Sequence, residues 1–137
     1  MPRKNIVDAG PLVAFLVERD EHHAWAARQF RRFESFVVCE AVIAEACARL
    51  NYFGGGQHQV LRLVNEGVLE IGFSLAGRSS RIESLMEKYA KLPMDFADAC
   101  LVTMTEETRD CLVITTDKAD FTVYRRFGRD VIPTLTP

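Results

Sequence analysis

The chain has 137 residues, 48% hydrophobic and 26% charged, with 17 basic against 19 acidic side chains and a net charge of −2. That length predicts a single domain over residues 1–137 with one real core, and excludes collagen, disordered and mini-protein classes. The near-neutral balance argues against a purely structural nucleic-acid binder, no apolar run reaches the ~18 residues of a spanning helix, and Met1-Pro2-Arg3-Lys4 leads into no cleavable leader, so a cytoplasmic protein is expected.

Asn5-Ile6-Val7-Asp8 reads as a short buried strand. Gly10-Pro11 ends it, and Pro11 suits the first position of a helix over Leu12 to Val17. A second helix is predicted from Glu21 to Phe33, anchored by Trp25, Phe30 and Phe33. Phe36-Val37-Val38-Cys39 is strand-like, and Ala41 to Leu50 is strongly helical by composition. Gly54-Gly55-Gly56 breaks the chain before a helix from Gln57 to Asn65. Val68 to Phe73 alternates and reads as an edge strand. Ser79 to Ala90 and Phe96 to Glu107 are predicted helices, Cys111 to Thr115 a β-rich run, and Val131-Ile132 a last short strand. Short apolar strands alternating with helices predict an α/β domain, a mostly parallel sheet covered on both faces. Ligands of such sheets bind beyond the carboxyl ends of the strands.

Four acids stand out against this pattern. Asp8 and Asp117 end strands, where each is either a turn or cap acid or a carboxylate aimed into the crevice. Glu45 lies in the apolar run Ala41 to Ala48, and a glutamate is almost never buried unpaired. Its alternative is an i+4 pair with Arg49, worth only a few tenths of a kcal/mol. Asp98 sits in Phe96-Ala97-Asp98-Ala99-Cys100, as a site acid or as a first-turn acid behind an Asp95 cap. Asp120 reads as the cap of a terminal helix. Four carboxylates within about 5 Å repel by roughly 3 kcal/mol per pair at an effective dielectric near 20, so the cluster needs protons or cations. Oxygen donors without histidine or cysteine suit Mg²⁺ or Mn²⁺, whose natural work is phosphoryl chemistry.

The segments Ile6 to Ala14, Val42 to Glu45, Pro93 to Ala99 and Thr115 to Phe121 stand in an order that resembles PIN-domain ribonucleases, most closely VapC toxins of type II toxin–antitoxin pairs. The resemblance spans essentially the whole chain. It puts the four family acids on Asp8, Glu45, Asp98 and Asp117, with Asp95 and Asp120 as accessories. It implies a three-layer α/β/α fold with a central, mostly parallel sheet, and Mg²⁺- or Mn²⁺-dependent cleavage of RNA. In that reading Asp8, Asp98 and Asp117 hold the metal and Glu45 orients the attacking water or a second metal. It also implies a homodimer and a VapB-like antitoxin that blocks the site. Ala9 stands where many such sequences carry a hydroxyl, so a hydrogen bond to the first carboxylate is expected to be missing there. Thr115 and Thr116 are the hydroxyls near the fourth acid.

The alternatives from other classes are an inactive PIN-fold module that binds RNA or protein, and a non-toxin PIN nuclease of RNA processing. A dehalogenase-type phosphatase needs a second Asp where Gly10 stands, an RNase H-like nuclease opens on a hairpin, and Gly54-Gly55-Gly56 lacks the lysine of a phosphate loop. Cys39, Cys47, Cys100 and Cys111 have no zinc spacing and read as buried free thiols. His22-His23 reads as a solvated helix start. Arg28, Arg31, Arg32, Arg125, Arg126 and Arg129 read as solvated cations open to phosphates or antitoxin carboxylates. Leu12, Phe15, Leu16, Trp25 and Phe30 exceed what one small sheet face needs, which predicts a dimer through this N-terminal part.

Overall fold

The computed structural model describes residues 2–137. Five strands form one sheet in the order β3-β2-β1-β4-β7, from β1 (Lys4–Val7), β2 (Phe36–Val38), β3 (Leu69–Ile71), β4 (Cys111–Ile114) and β7 (Thr134–Leu135). Every pairing within it is parallel, and the intervening connections carry helices, as parallel neighbours require. These are α1 (Ala9–Leu16), α2 (His23–Arg32), α3 (Glu40–Tyr52), α4 (Gln57–Asn65), α5 (Ser79–Lys88), α6 (Phe96–Glu106) and α7 (Lys118–Val123). The α/β/α expectation holds, and β3 is an edge strand as its alternation suggested.

Three local expectations change. The first helix starts at Ala9, not Leu12, because the Asp8 side chain caps it, and Pro11 falls inside its first turn, where no intrahelical N–H is needed. Val131-Ile132 is not the last strand of the sheet. Asp130–Val131 (β6) pairs antiparallel with Arg125–Arg126 (β5) in a separate ribbon, and the sheet strand follows Pro133. The terminal helix is capped by Asp117 rather than Asp120.

The core explains the N-terminal aromatics. Leu12 and Trp25 are buried, while Phe15 and Phe30 stack at 4.2 Å and pack partly covered against it. Phe30 in turn meets the fully buried Phe36. Helices α1 and α2 thus bury Leu12 and Trp25 inside the chain and leave Phe15, Leu16 and Phe30 partly covered. Cys39, Cys100 and Cys111 are buried free thiols, whereas Cys47 is half-buried. No helix among the described residues is long and apolar enough to cross a membrane.

Candidate active site

The two central strands bring the strand-end acids together. β1 and β4 run parallel with Val7 opposite Ile114, and the ladder continues one step through Asp8 N–H to the Ile114 carbonyl at 3.0 Å. Asp8 and Thr115 therefore leave the same sheet edge side by side. The Thr115 hydroxyl donates to Asp8 Oδ2 at 2.7 Å, and Ala9 N–H donates to Asp8 Oδ1 at 2.7 Å. The hydroxyl absent at position 9 is thus supplied by the residue that follows β4. Thr115 also accepts the Asp117 N–H at 2.9 Å, so one side chain fixes both strand-end acids.

Helices supply the other acids. Strand β2 runs through Cys39 into α3, whose buried face is Val42, Ala46 and Leu50, with Glu45 half-buried beside it. Asp95 caps α6 by accepting Asp98 N–H at 2.8 Å, and Asp98 receives the Tyr124 hydroxyl on Oδ2 at 2.9 Å. Asp117 caps α7 by accepting Asp120 N–H at 3.0 Å. Gly10 permits the close approach of α1 to this turn, since a Cβ there would lie 2.0 Å from Thr116 Oγ1.

All four acids singled out from the sequence line one cavity at the carboxyl edge of the sheet, joined by Asp95, Asp120 and a single cation, Arg49. Asp98, Asp117 and Asp120 each offer an oxygen within 4.8 Å of the others. Asp8 lines the same cavity outside that tight trio, and Asp120, read as a cap, is inside it. The signal for Asp120 was its spacing of one helical turn from a capping acid. The Glu45–Arg49 pair is not formed as a salt bridge among the described residues.

Crowding and burial leave a chemical mark. Burial, reinforced by the Asp117 and Asp95 charges and opposed by its two hydrogen bonds, holds Asp8 above the usual carboxylate range. Asp98 is pushed up to about 7, first by burial and then by Asp95, Asp8 and Asp117, against the Tyr124 hydrogen bond. Glu45 is raised by burial and by Asp8 and Asp95, with Arg49 opposing. Asp120 is raised by burial and by Asp117. A pocket of raised carboxyls lined by neither histidine nor cysteine fits a hard divalent cation, which favours the charged form of each.

Of the C-terminal cations, Arg126 departs from the solvated reading and Arg129 meets it. Arg126 is buried and donates to the Thr105 and Thr108 carbonyls at the end of α6, so it serves the fold. The Arg125 guanidinium donates to carbonyls at the end of α7. Arg129 is exposed beside Asp130.

Residues 6–126 match the sequence model of the family described as PIN domain. Among solved structures, the chain is similar to VapC20 of Mycobacterium tuberculosis, a Sarcin-Ricin loop cleaving toxin. The TM-score is 0.73 at 15% identity, covering 80% of this chain and 87% of that one. No curated protein matches the sequence.

Proposed function

The chain belongs to the PIN domain family, and from that premise we propose that it is a metal-dependent endoribonuclease, the toxin of a toxin–antitoxin pair. The observation that carries this reading is the convergence of Asp8, Glu45, Asp98 and Asp117 on one cavity at the sheet's carboxyl edge. Its acids are too crowded and too buried to be all ionised without a cation. The likeness to a toxin that cleaves RNA agrees with it.

Asp8, Asp98 and Asp117 are the residues we assign to hold Mg²⁺ or Mn²⁺, with Asp120 beside them. An ion held there would supply Lewis-acid chemistry, activating water and offsetting charge on the phosphate. The protein's part is orientation. Thr115 fixes Asp8, Tyr124 fixes Asp98, and the cap to Asp120 N–H fixes Asp117. Glu45, raised by burial, is the better proton acceptor for it, and takes the proton of the attacking water at its carboxylate oxygen. No serine, cysteine or histidine lines the cavity, and in this reading water attacks the phosphodiester directly. The protein acts in the cytoplasm, as a homodimer restrained by a VapB-like antitoxin.

The test is cleavage of single-stranded RNA by pure protein in Mg²⁺, beside calorimetric titration with Mn²⁺. Cleavage abolished by EDTA, with Mn²⁺ binding that Asp117→Asn weakens, is expected. Cleavage that survives EDTA refutes the mechanism, and a protein that neither cleaves RNA nor binds Mn²⁺ is the inactive module instead. Sedimentation showing only monomer at tens of micromolar removes the homodimer.

A further inference from the structure

Helix α3 continues past the acidic cavity and ends in two aromatic residues that the core does not use. At 3.6 residues per turn, Arg49 lies about 40° and Tyr52 about 20° from the direction of Glu45, at axial distances of about 6 and 10 Å. One stripe of the helix therefore reads acid, cation, aromatic, adjoining the buried face of Val42, Ala46 and Leu50. Tyr52 is 88% exposed and Phe53 42% exposed. Their rings meet edge to face at 5.9 Å, and the guanidinium of Arg19 lies 5.5 Å from the centre of the Phe53 ring. Two cations and two exposed aromatics thus gather in a protein of net negative charge, beside a cavity whose one cation is Arg49.

Such interleaving is what single-stranded nucleic acid needs: guanidinium for phosphate, ring faces for bases. A strand entering a pocket of six carboxylates also needs a cation at the rim, because its own phosphates are repelled there. Resting on the nuclease reading above, we infer that the Arg49–Tyr52 stripe of α3 is the substrate-strand seat. Arg49 takes a phosphate next to the scissile one, and Tyr52, backed by Phe53, stacks on a neighbouring base. This assigns a share of substrate selection to α3: stacking tolerates any base but demands an unpaired one, so the seat selects single-stranded or looped RNA over duplex. Arg49 and Tyr52 are positioning residues, acting on binding rather than on the bond broken.

The experiment measures anisotropy of a short labelled single-stranded RNA with Ca²⁺ in place of Mg²⁺, then kcat and KM in Mg²⁺. Tyr52→Ala should weaken binding about tenfold and raise KM with kcat nearly kept, and Tyr52→Trp should restore it. Arg49→Ala should weaken binding and lower the slope of log affinity against log salt by about 0.7. Leu61→Ala and Arg109→Ala, exposed apolar and cationic controls, should bind as wild type. Both test positions are exposed, so unchanged thermal melting certifies the fold. If wild type cleaves RNA and both variants bind it equally well, the seat is refuted while the nuclease stands. If Tyr52→Ala leaves RNA affinity alone but changes the oligomeric state, the aromatics belong to a contact between copies and the seat is refuted. If wild type neither binds nor cleaves RNA, the nuclease reading fails and the seat with it.

Discussion

Replacing Asp98 by asparagine keeps the shape of the side chain and an oxygen to accept from the Tyr124 hydroxyl, but removes one charge from the cavity. A folded pKa of about 7 against an ordinary 3.8 means the native state holds this proton more tightly than the unfolded chain. The destabilisation is therefore absent below the unfolded pKa, grows between 3.8 and about 7, and is complete above. At full strength such a shift corresponds to about 4 kcal/mol. Asp98 is only part-buried, and the solvent that reaches it reduces the figure to about 1–2 kcal/mol. One effect opposes it: an anion in the first turn of α6 gains about 0.3–1 kcal/mol from the helix dipole. Burial wins. In EDTA near pH 8, Asp98→Asn should melt roughly 4 °C higher than wild type, the gap should close near pH 4, and RNA cleavage in Mg²⁺ should collapse. Thermal melts across pH beside a cleavage assay decide the matter. An active variant that melts lower at pH 8 would falsify the placement of Asp98 in the metal site and leave it a dipole acid.

Thr115→Val removes a hydroxyl bonded to a buried carboxylate and to the Asp117 N–H. A loss of about 2–3 kcal/mol in urea unfolding at neutral pH is expected, with Thr115→Ser restoring most of it. Equal midpoints for Val and wild type would remove Thr115 from its bridging role. Gly10→Ala drives a methyl into Thr116, whose Oγ1 would be 2.0 Å and Cβ 3.2 Å away. It should cost about 1–3 kcal/mol, and Thr116→Ala in the same chain should recover much of that because only the 3.2 Å contact is left; strict additivity of the two changes contradicts the close approach. Saturating Mg²⁺ at about a hundred times its dissociation constant should stabilise wild type by about 2.7 kcal/mol. Asp117→Asn, which keeps the α7 cap, should lose most of that gain, and an undiminished shift in melting temperature would take Asp117 out of the site.

Asp8 and Asp117 were legible because a parallel sheet presents its ligands at the carboxyl ends of its strands, and both acids end apolar strands. Glu45 and Asp98 were legible as charges on apolar helices, a placement that hydrophobic burial alone does not produce. What the sequence could not show are contacts set by register. Thr115 lies 107 positions from the carboxylate it serves, and only the pairing of Val7 with Ile114 puts them together. Tyr124 and Asp98 meet because the chain leaving α7 packs β5 on α6, which no periodicity encodes. Arg126 looked solvated because it stands in a cationic run with Arg125 and Arg129. Its burial follows from an antiparallel turn that sends its guanidinium back under the end of α6. The N-terminal aromatics follow a related rule: composition counts apolar groups without saying which of them the same chain covers, and here β2 and α2 cover Phe15 and Phe30 in part.

Three of the cavity's acids cap helices, Asp8 on α1, Asp95 on α6 and Asp117 on α7, so three helix N-termini face the same space. Each cap is worth about 1 kcal/mol. Together they match the repulsion of roughly one carboxylate pair at about 5 Å, and six acids make many more pairs than one. Local chemistry therefore lets the cluster fold but not ionise fully, and the remainder is held by protons. Asp8, Glu45, Asp98 and Asp120 are accordingly all raised. A cation entering this site must displace those protons, so binding and proton release are linked. With Asp98 at about 7, neutral solution leaves that group near half-protonated, and Mn²⁺ binding should expel about half a proton from it alone. Calorimetric titration at neutral pH in two buffers of different ionisation enthalpy reads this directly. The apparent heats should differ in proportion to protons released, and the difference should shrink above pH 8 as the site empties of protons. Heats that are identical in both buffers at neutral pH would mean that the carboxyls are already ionised, and that the like-charge crowding argued here does not govern the site.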